Sequence, residues 1–175
     1  MSNLSPPARV MYLPGMPLGE FRAAELFVAA SVRLWAVEGL DTHPGPSAWP
    51  DWRQGMAVAG LDDAATGAFD YLMRTITVCA LRQLAIHPPP CPRLGPFEAL
   101  VLDCLYLAQE RRLDALDTAL AAVLCPTGAR LAAPPCEHLA RTLASAGLDL
   151  GGPRRSPAHS SESMAYADRG RALVH

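Results

Sequence analysis

Residues 62–84 have the sequence DDAATGAFDYLMRTITVCALRQL, which carries the clearest helical period in the chain. Apolar side chains recur there every three or four positions, and this spacing places them on one face of an α-helix. The positions on that face are Ala65, Ala68, Phe69, Leu72, Met73, Ile76, Cys79, Ala80 and either Gln83 or Leu84. Asp62 or Asp63 can accept a hydrogen bond from the first free backbone amides, so we expect the helix to begin there. It should end before His87 and the three prolines that follow, because proline cannot continue a helix.

The same period recurs in four other segments of the chain. We predict helices over residues 18–38, with Gly39 as the C-terminal cap, and over 96–108, 113–124 and 135–146. No segment alternates apolar and polar residues for more than a few positions, as a half-buried strand would. The sequence therefore predicts an all-α protein, a compact bundle of about five short helices.

The length of 175 residues suits one domain. Residues 1–17 contain four prolines and are predicted to be an extended lead-in to a single helical domain over 18–150. Residues 151–175 have no period and few large apolar side chains, so we expect a disordered C-terminal tail. Residues 40–60 are rich in proline and glycine and form an unusually long connection for a compact domain.

The charged residues exclude several kinds of chemistry and partner. All fifteen basic residues are arginine, and without lysine the chain can form neither a side-chain Schiff base nor a Walker A phosphate loop. The net charge of −2 gives no electrostatic attraction to a polyanion, so we expect no nucleic-acid partner. No apolar run reaches the roughly 18–20 residues of a transmembrane helix. With no export signal and an odd number of cysteines, we expect a cytoplasmic protein with no membrane partner.

A low density of charge gives the leading functional hypothesis. Charged residues make up 18% of the chain, against roughly 25% in ordinary domains. Such a surface favours contact with a protein partner or with a second copy, although an alanine-rich, high-GC bacterial genome would dilute charge in the same way. Since no GxSxG motif or acid–base pair is present, we expect a non-enzymatic interaction or regulatory module that forms a homo-oligomer.

The alternative hypothesis is a metal- or redox-responsive protein. His87 and Cys91 lie on a proline-stiffened loop, and an imidazole with a thiolate suits Zn²⁺ or Cu(I). A tetrahedral zinc site needs four ligands, which Cys136 and His138 could complete from the other side of the bundle; Cys79 could also contribute. The competing interpretation of the loop is a rigid turn with no ligand. No other cofactor is expected.

The remaining cysteines differ in their predicted positions. Cys136 is expected in the first turn of the helix over 135–146, where free amides favour a thiolate, so it is the candidate reactive thiol. His87 or His43 could act as its base. Cys125 is expected at the C-terminal end of a helix, and Cys104, like Cys79, is expected in the core.

Three tryptophans, Trp35, Trp49 and Trp52, are candidates for binding a ligand or partner, because tryptophan buries a large area at low entropic cost. In the competing interpretation, a loop tryptophan folds back and closes the end of the core. Asp70 and Arg74, four residues apart on the predicted helix, should form a surface ion pair.

Overall fold

The computed structural model describes residues 12–40 and 49–151, and these ranges contain six α-helices and no β-strand. After a 3-10 turn at Leu18–Glu20, the helices are α1 (Ala23–Leu40), α2 (Trp52–Val58), α3 (Asp63–Cys79), α4 (Pro96–Gln109), α5 (Leu113–Ala121) and α6 (Pro126–Ser145). The predicted all-α fold is confirmed, with six helices where about five were expected. Residues 152–175 of the predicted disordered tail, and His43, lie outside the described residues.

The centre of the bundle is the contact between α3 and α6, and α4 packs against α6 beside it. The predicted stripe of α3 faces this core: Phe69, Leu72, Met73 and Ile76 are all buried. Each such side chain contributes about 1.5–3 kcal/mol when fully removed from water, so the stripe accounts for much of the stability of the bundle.

The predicted starts of two helices are confirmed by their caps. The Asp62 carboxylate accepts a hydrogen bond from the Ala65 amide at 2.8 Å at the start of α3. Gly95 caps α4, whose first residue, Pro96, has no amide that needs a partner. The predicted break between α4 and α5 is also present, where Arg111 adopts a left-handed conformation with φ of 54°.

The predicted last helix, over 135–146, is wrong in its start. Helix α6 begins at Pro126 and continues through Pro134 and Pro135 to Ser145, with Cys125 as its N-terminal cap. Proline inside a helix costs roughly 3 kcal/mol because it removes a hydrogen bond and crowds the preceding turn. The packing of α6 against three other helices outweighs that cost. Pro126 is the first residue of this helix, where its missing amide needs no partner.

The predicted C-terminal part of α3 is also wrong. The helix stops at Cys79, since the next residue, Ala80, has an extended backbone and forms an isolated antiparallel bridge with Leu124. Residues 80–95 therefore form an irregular connection to α4. The connection predicted over 40–60 contains the short helix α2. The proline and glycine residues around it favoured the prediction of a loop.

Residues 12–17, predicted as part of a lead-in, pack against the domain. The buried Tyr12 donates its hydroxyl to Glu25 Oε1 at 3.2 Å and its amide to Asp103 at 3.1 Å. The Gly151 amide donates to the same Glu25 oxygen at 3.0 Å. One buried carboxylate thus connects the two ends of the described chain.

Candidate functional site

The proline-rich loop after α3 surrounds one buried arginine. Arg33 projects from α1 with 2% of its side chain exposed, and its Nε donates to Glu98 Oε1 at 2.8 Å. Its terminal nitrogens donate to the carbonyls of Cys91 and Arg93, each at 2.6 Å, and to that of Pro89 at 3.3 Å. The fixed fork of guanidinium donors therefore satisfies three loop carbonyls and one carboxylate at once. We call this arrangement the Arg33–Glu98 knot.

Glu98 lies in the first turn of α4 and is fully buried. Its Oε1 also accepts the His87 amide at 3.3 Å, which attaches the start of the proline loop to the knot. Its Oε2 has no hydrogen-bond partner among the described residues, and a Cβ at Gly95 would overlap that oxygen. A side chain at position 95 would therefore force the Glu98 carboxylate to move.

The structure brings together two of the predicted metal ligands. Cys91 Sγ lies 3.4 Å from His87 Nδ1, and both residues are half-buried. The same Nδ1 lies 3.0 Å from the Arg93 carbonyl, which can only accept, so the proton resides on Nδ1 when that bond forms. This tautomer leaves His87 Nε2 as the imidazole nitrogen with a free lone pair.

The other two predicted ligands, Cys136 and His138, both lie on α6; His138 is half-buried, and its Nε2 has no hydrogen-bond partner among the described residues. Cys136 is fully buried in the middle of α6, and burial, followed by the neighbouring Cys104 and Glu137, raises its pKa well above the ordinary value. Across residues 12–40 and 49–151, no three His, Cys, Asp or Glu side chains form a group that could hold a metal. The expectation that Cys136 is a reactive thiol in a first helical turn is wrong, because α6 begins at Pro126.

The three tryptophans occupy separate environments. Trp52 is buried in the core, with its ring centre 5.2 Å from that of Phe69. Trp35 is half-buried and donates its indole N–H to Asp70 Oδ1 at 2.7 Å. Trp49, by contrast, is 42% exposed. Trp35 also lines a surface groove.

An apolar ridge lies at the C-terminal end of α3. Val78 is 82% exposed and Leu81 is 66% exposed, and we call these two residues the α3 ridge. Beside Val78 is a groove of about 440 Å³, lined by Trp35, Glu38, Gly39, Arg53, Arg74, Thr77 and Val78. A second groove of about 350 Å³ is lined by Ile76, Thr77, Ala80, Arg82, Gln83, Leu84, Ile86 and Phe97. The sequence held a signal for the ridge, since both residues are apolar yet fall outside the predicted stripe of α3.

The same end of α3 holds a pair of cysteines that the sequence analysis did not connect. The Cys125 amide donates to the Cys79 carbonyl at 2.9 Å, and the Cys125 sulfur accepts from the Gly128 amide at 3.4 Å. Burial and the adjacent Cys125 raise the pKa of Cys79. Cys79 was expected in the core and Cys125 at the C-terminal end of a helix; both are half-buried, and Cys125 caps the start of α6.

Comparison with known proteins identified no relative: no protein-family model, curated protein or solved structure matches the chain. The helices of the described ranges include none of the length and apolar character that crossing a bilayer requires.

Proposed function

We propose that this protein is a non-enzymatic helical interaction module, and that it binds a second copy of itself through the α3 ridge. The observation that carries the proposal is the exposure of Val78 and Leu81, at 82% and 66%. Aliphatic side chains three residues apart and this far exposed gain free energy when a partner removes them from water.

The shape of the surface favours self-association. Val78 lines one groove and Ala80 lines the other, so protruding side chains and depressions occur together on one face. In a two-fold dimer the same patch is present on both subunits, and the ridge of each copy can enter a groove of the other. The rim carries Arg53 and Arg74 beside Glu38, so both signs of charge are present, as a self-complementary contact requires.

Sedimentation velocity over a concentration series tests the proposal. The unmodified chain should sediment as a dimer in the micromolar range, and Val78→Asp should sediment as a monomer at the same concentrations, because a buried unpaired carboxylate opposes association. Val58→Asp is the matched control: Val58 is 83% exposed on α2 but lines neither groove, so this variant should remain dimeric. A monomeric wild-type chain at all concentrations, or equal loss of association in both variants, would refute the proposal.

We propose as a second candidate that the loop pair His87 and Cys91 binds a soft or borderline metal such as Cu(I) or Zn²⁺. The distance of 3.4 Å between the sulfur and the imidazole nitrogen favours it. The cysteine thiolate and His87 Nδ1 would be the two ligands from this chain, and Nδ1 would give up its proton and its hydrogen bond to the Arg93 carbonyl when the metal binds. Elemental analysis after purification without chelator should show metal that Cys91→Ser lacks; equal metal content in both proteins would exclude this candidate.

A further inference from the structure

The junction between α3 and α6 places Cys79 and Cys125 opposite each other. The Cys125 amide bonds the Cys79 carbonyl at 2.9 Å, and the adjacent residues Ala80 and Leu124 form an antiparallel bridge. Directly opposed residues at a hydrogen-bonded position of such a ladder have Cα atoms about 5.5 Å apart. A disulfide spans Cα distances of roughly 4.4–6.8 Å. The usual spacing at such a position therefore falls within the range that a disulfide spans.

Both sulfur atoms lie next to Gly128. A Cβ atom placed on Gly128 would lie 3.0 Å from Cys79 Sγ and 3.5 Å from Cys125 Sγ, so both sulfurs border one small space. Because both side chains are half-buried, a small oxidant can reach them without unfolding the chain.

We propose that Cys79 and Cys125 are a redox-sensitive pair that a hydroperoxide converts reversibly into a disulfide joining α3 to α6. This inference is independent of whether the α3 ridge binds a second copy. Cys125 is the attacking sulfur, because the Gly128 amide at the start of α6 donates to it and favours negative charge there. Cys79, at the end of α3, is the resolving sulfur.

The reaction balances in two steps. The Cys125 thiolate attacks one peroxide oxygen; the S–O bond forms, the O–O bond breaks, and the departing hydroxide takes a proton and leaves as water. The Cys79 sulfur then attacks the resulting sulfenic acid, so that the S–S bond forms and the S–O bond breaks. The second water leaves with the Cys79 thiol proton. The two thiols together give two electrons to the peroxide, and an added dithiol reverses the change.

The chain supplies internal controls for this pair. Cys104 and Cys136 are also neighbours, but both are fully buried, and burial raises the pKa of Cys104 to about 12. A thiol that stays protonated and away from solvent reacts slowly, so these two should persist as thiols. Cys91, half-buried beside His87, is the fifth free thiol and the competing target.

Peptide mapping of the folded full chain tests the proposal. The protein is treated with hydrogen peroxide, alkylated in denaturant and digested, and the peptides are identified by mass spectrometry. The alkylatable thiols should fall from five to three, and one peptide pair should carry an intrachain Cys79–Cys125 bond. The oxidised protein should melt at a higher temperature than the reduced protein, because the bond restrains the unfolded chain. Dithiothreitol should reverse both changes.

Serine substitutions then assign the roles of the two sulfurs. Cys125→Ser should abolish the thiol loss at this junction. Cys79→Ser should leave a sulfenic acid on Cys125 that a dimedone probe captures. Cys91→Ser should still form the bond between Cys79 and Cys125. Five thiols remaining after peroxide, a bond between two chains, or a bond that involves Cys91 would overturn the proposal. The mapping of the unmodified chain gives this decision even where a variant folds poorly.

Discussion

The connection between α3 and α4, residues 80–95, is held differently at its two ends. Its later part encloses the Arg33–Glu98 knot, where a buried guanidinium gives hydrogen bonds to three loop carbonyls. Its first residue, Ala80, instead joins Leu124 through a backbone bridge beside Gly128. The knot depends on charge complementarity inside the protein, and the junction depends on the close approach of two backbones. A buried polar group attaches one end of this loop to the bundle, and the missing side chain of Gly128 allows the close contact that attaches the other end.

Removing one charge from the knot should give the largest loss of stability. Glu98→Gln leaves the guanidinium of Arg33 buried without its counter-charge, and breaking a buried pair in this way costs about 3–5 kcal/mol. Urea denaturation should show this decrease in the free energy of unfolding. A decrease below about 1 kcal/mol would mean that solvent reaches the pair, and the contrast between the two ends of the loop would disappear.

Filling the junction should have the next largest effect. A Cβ at Gly128 would overlap Cys79 Cβ, so Gly128→Ala forces the backbones of α3 and α6 apart. Overpacking of this kind costs roughly 1–3 kcal/mol, which should appear as a lower midpoint in the same urea experiment.

Gly67→Ala is the matched control for that substitution. Gly67 lies within α3 and its Cβ would contact nothing within 4 Å, so alanine should stabilise the helix by roughly 0.5–1 kcal/mol. If both variants shift the urea midpoint in the same direction, helix propensity and not the lack of space beside Cys79 determines the effect of alanine at position 128.

The exposed ion pair on α3 is expected to contribute less to stability than the buried pair of Arg33 and Glu98. The predicted pair of Asp70 and Arg74 is confirmed at 2.8 Å. Burial raises the pKa of Asp70, but the hydrogen bonds from Arg74 and Trp35 outweigh it and lower the pKa below 3.8. The carboxylate therefore stabilises the folded state fully above pH 3.8, and this contribution is lost as the pH falls through the lowered folded-state value.

We expect Asp70→Asn to reduce the free energy of unfolding by about 0.2–1 kcal/mol at pH 7, with the difference from wild type shrinking in acid below pH 3.8. Urea denaturation at pH 7 and at a pH below 3.8 measures the difference in the free energy of unfolding. A loss as large as that of Glu98→Gln would contradict the view that burial sets the strength of these pairs.

The features that depend only on residues close together in the chain could be predicted from the sequence. The apolar period of α3, the cap at Asp62 and the start of α4 at Pro96 follow from local spacing and local hydrogen bonds, and each is present in the structure. His87 and Cys91 also met as a pair, because four residues on a proline-stiffened loop leave few alternatives. The ion pair of α3 belongs to the same group.

The remaining features depend on contacts between distant parts of the chain, so the sequence pattern did not predict them. Helix α6 continues through Pro134 and Pro135, and α3 stops at Cys79, because contacts with distant elements outweigh the local preferences of those residues. The partners of Arg33 and the pairing of Cys79 with Cys125 join parts of the chain that lie far apart in sequence. Their free energy comes from burial and from hydrogen bonds that exist only after the helices have packed, so no local pattern records them.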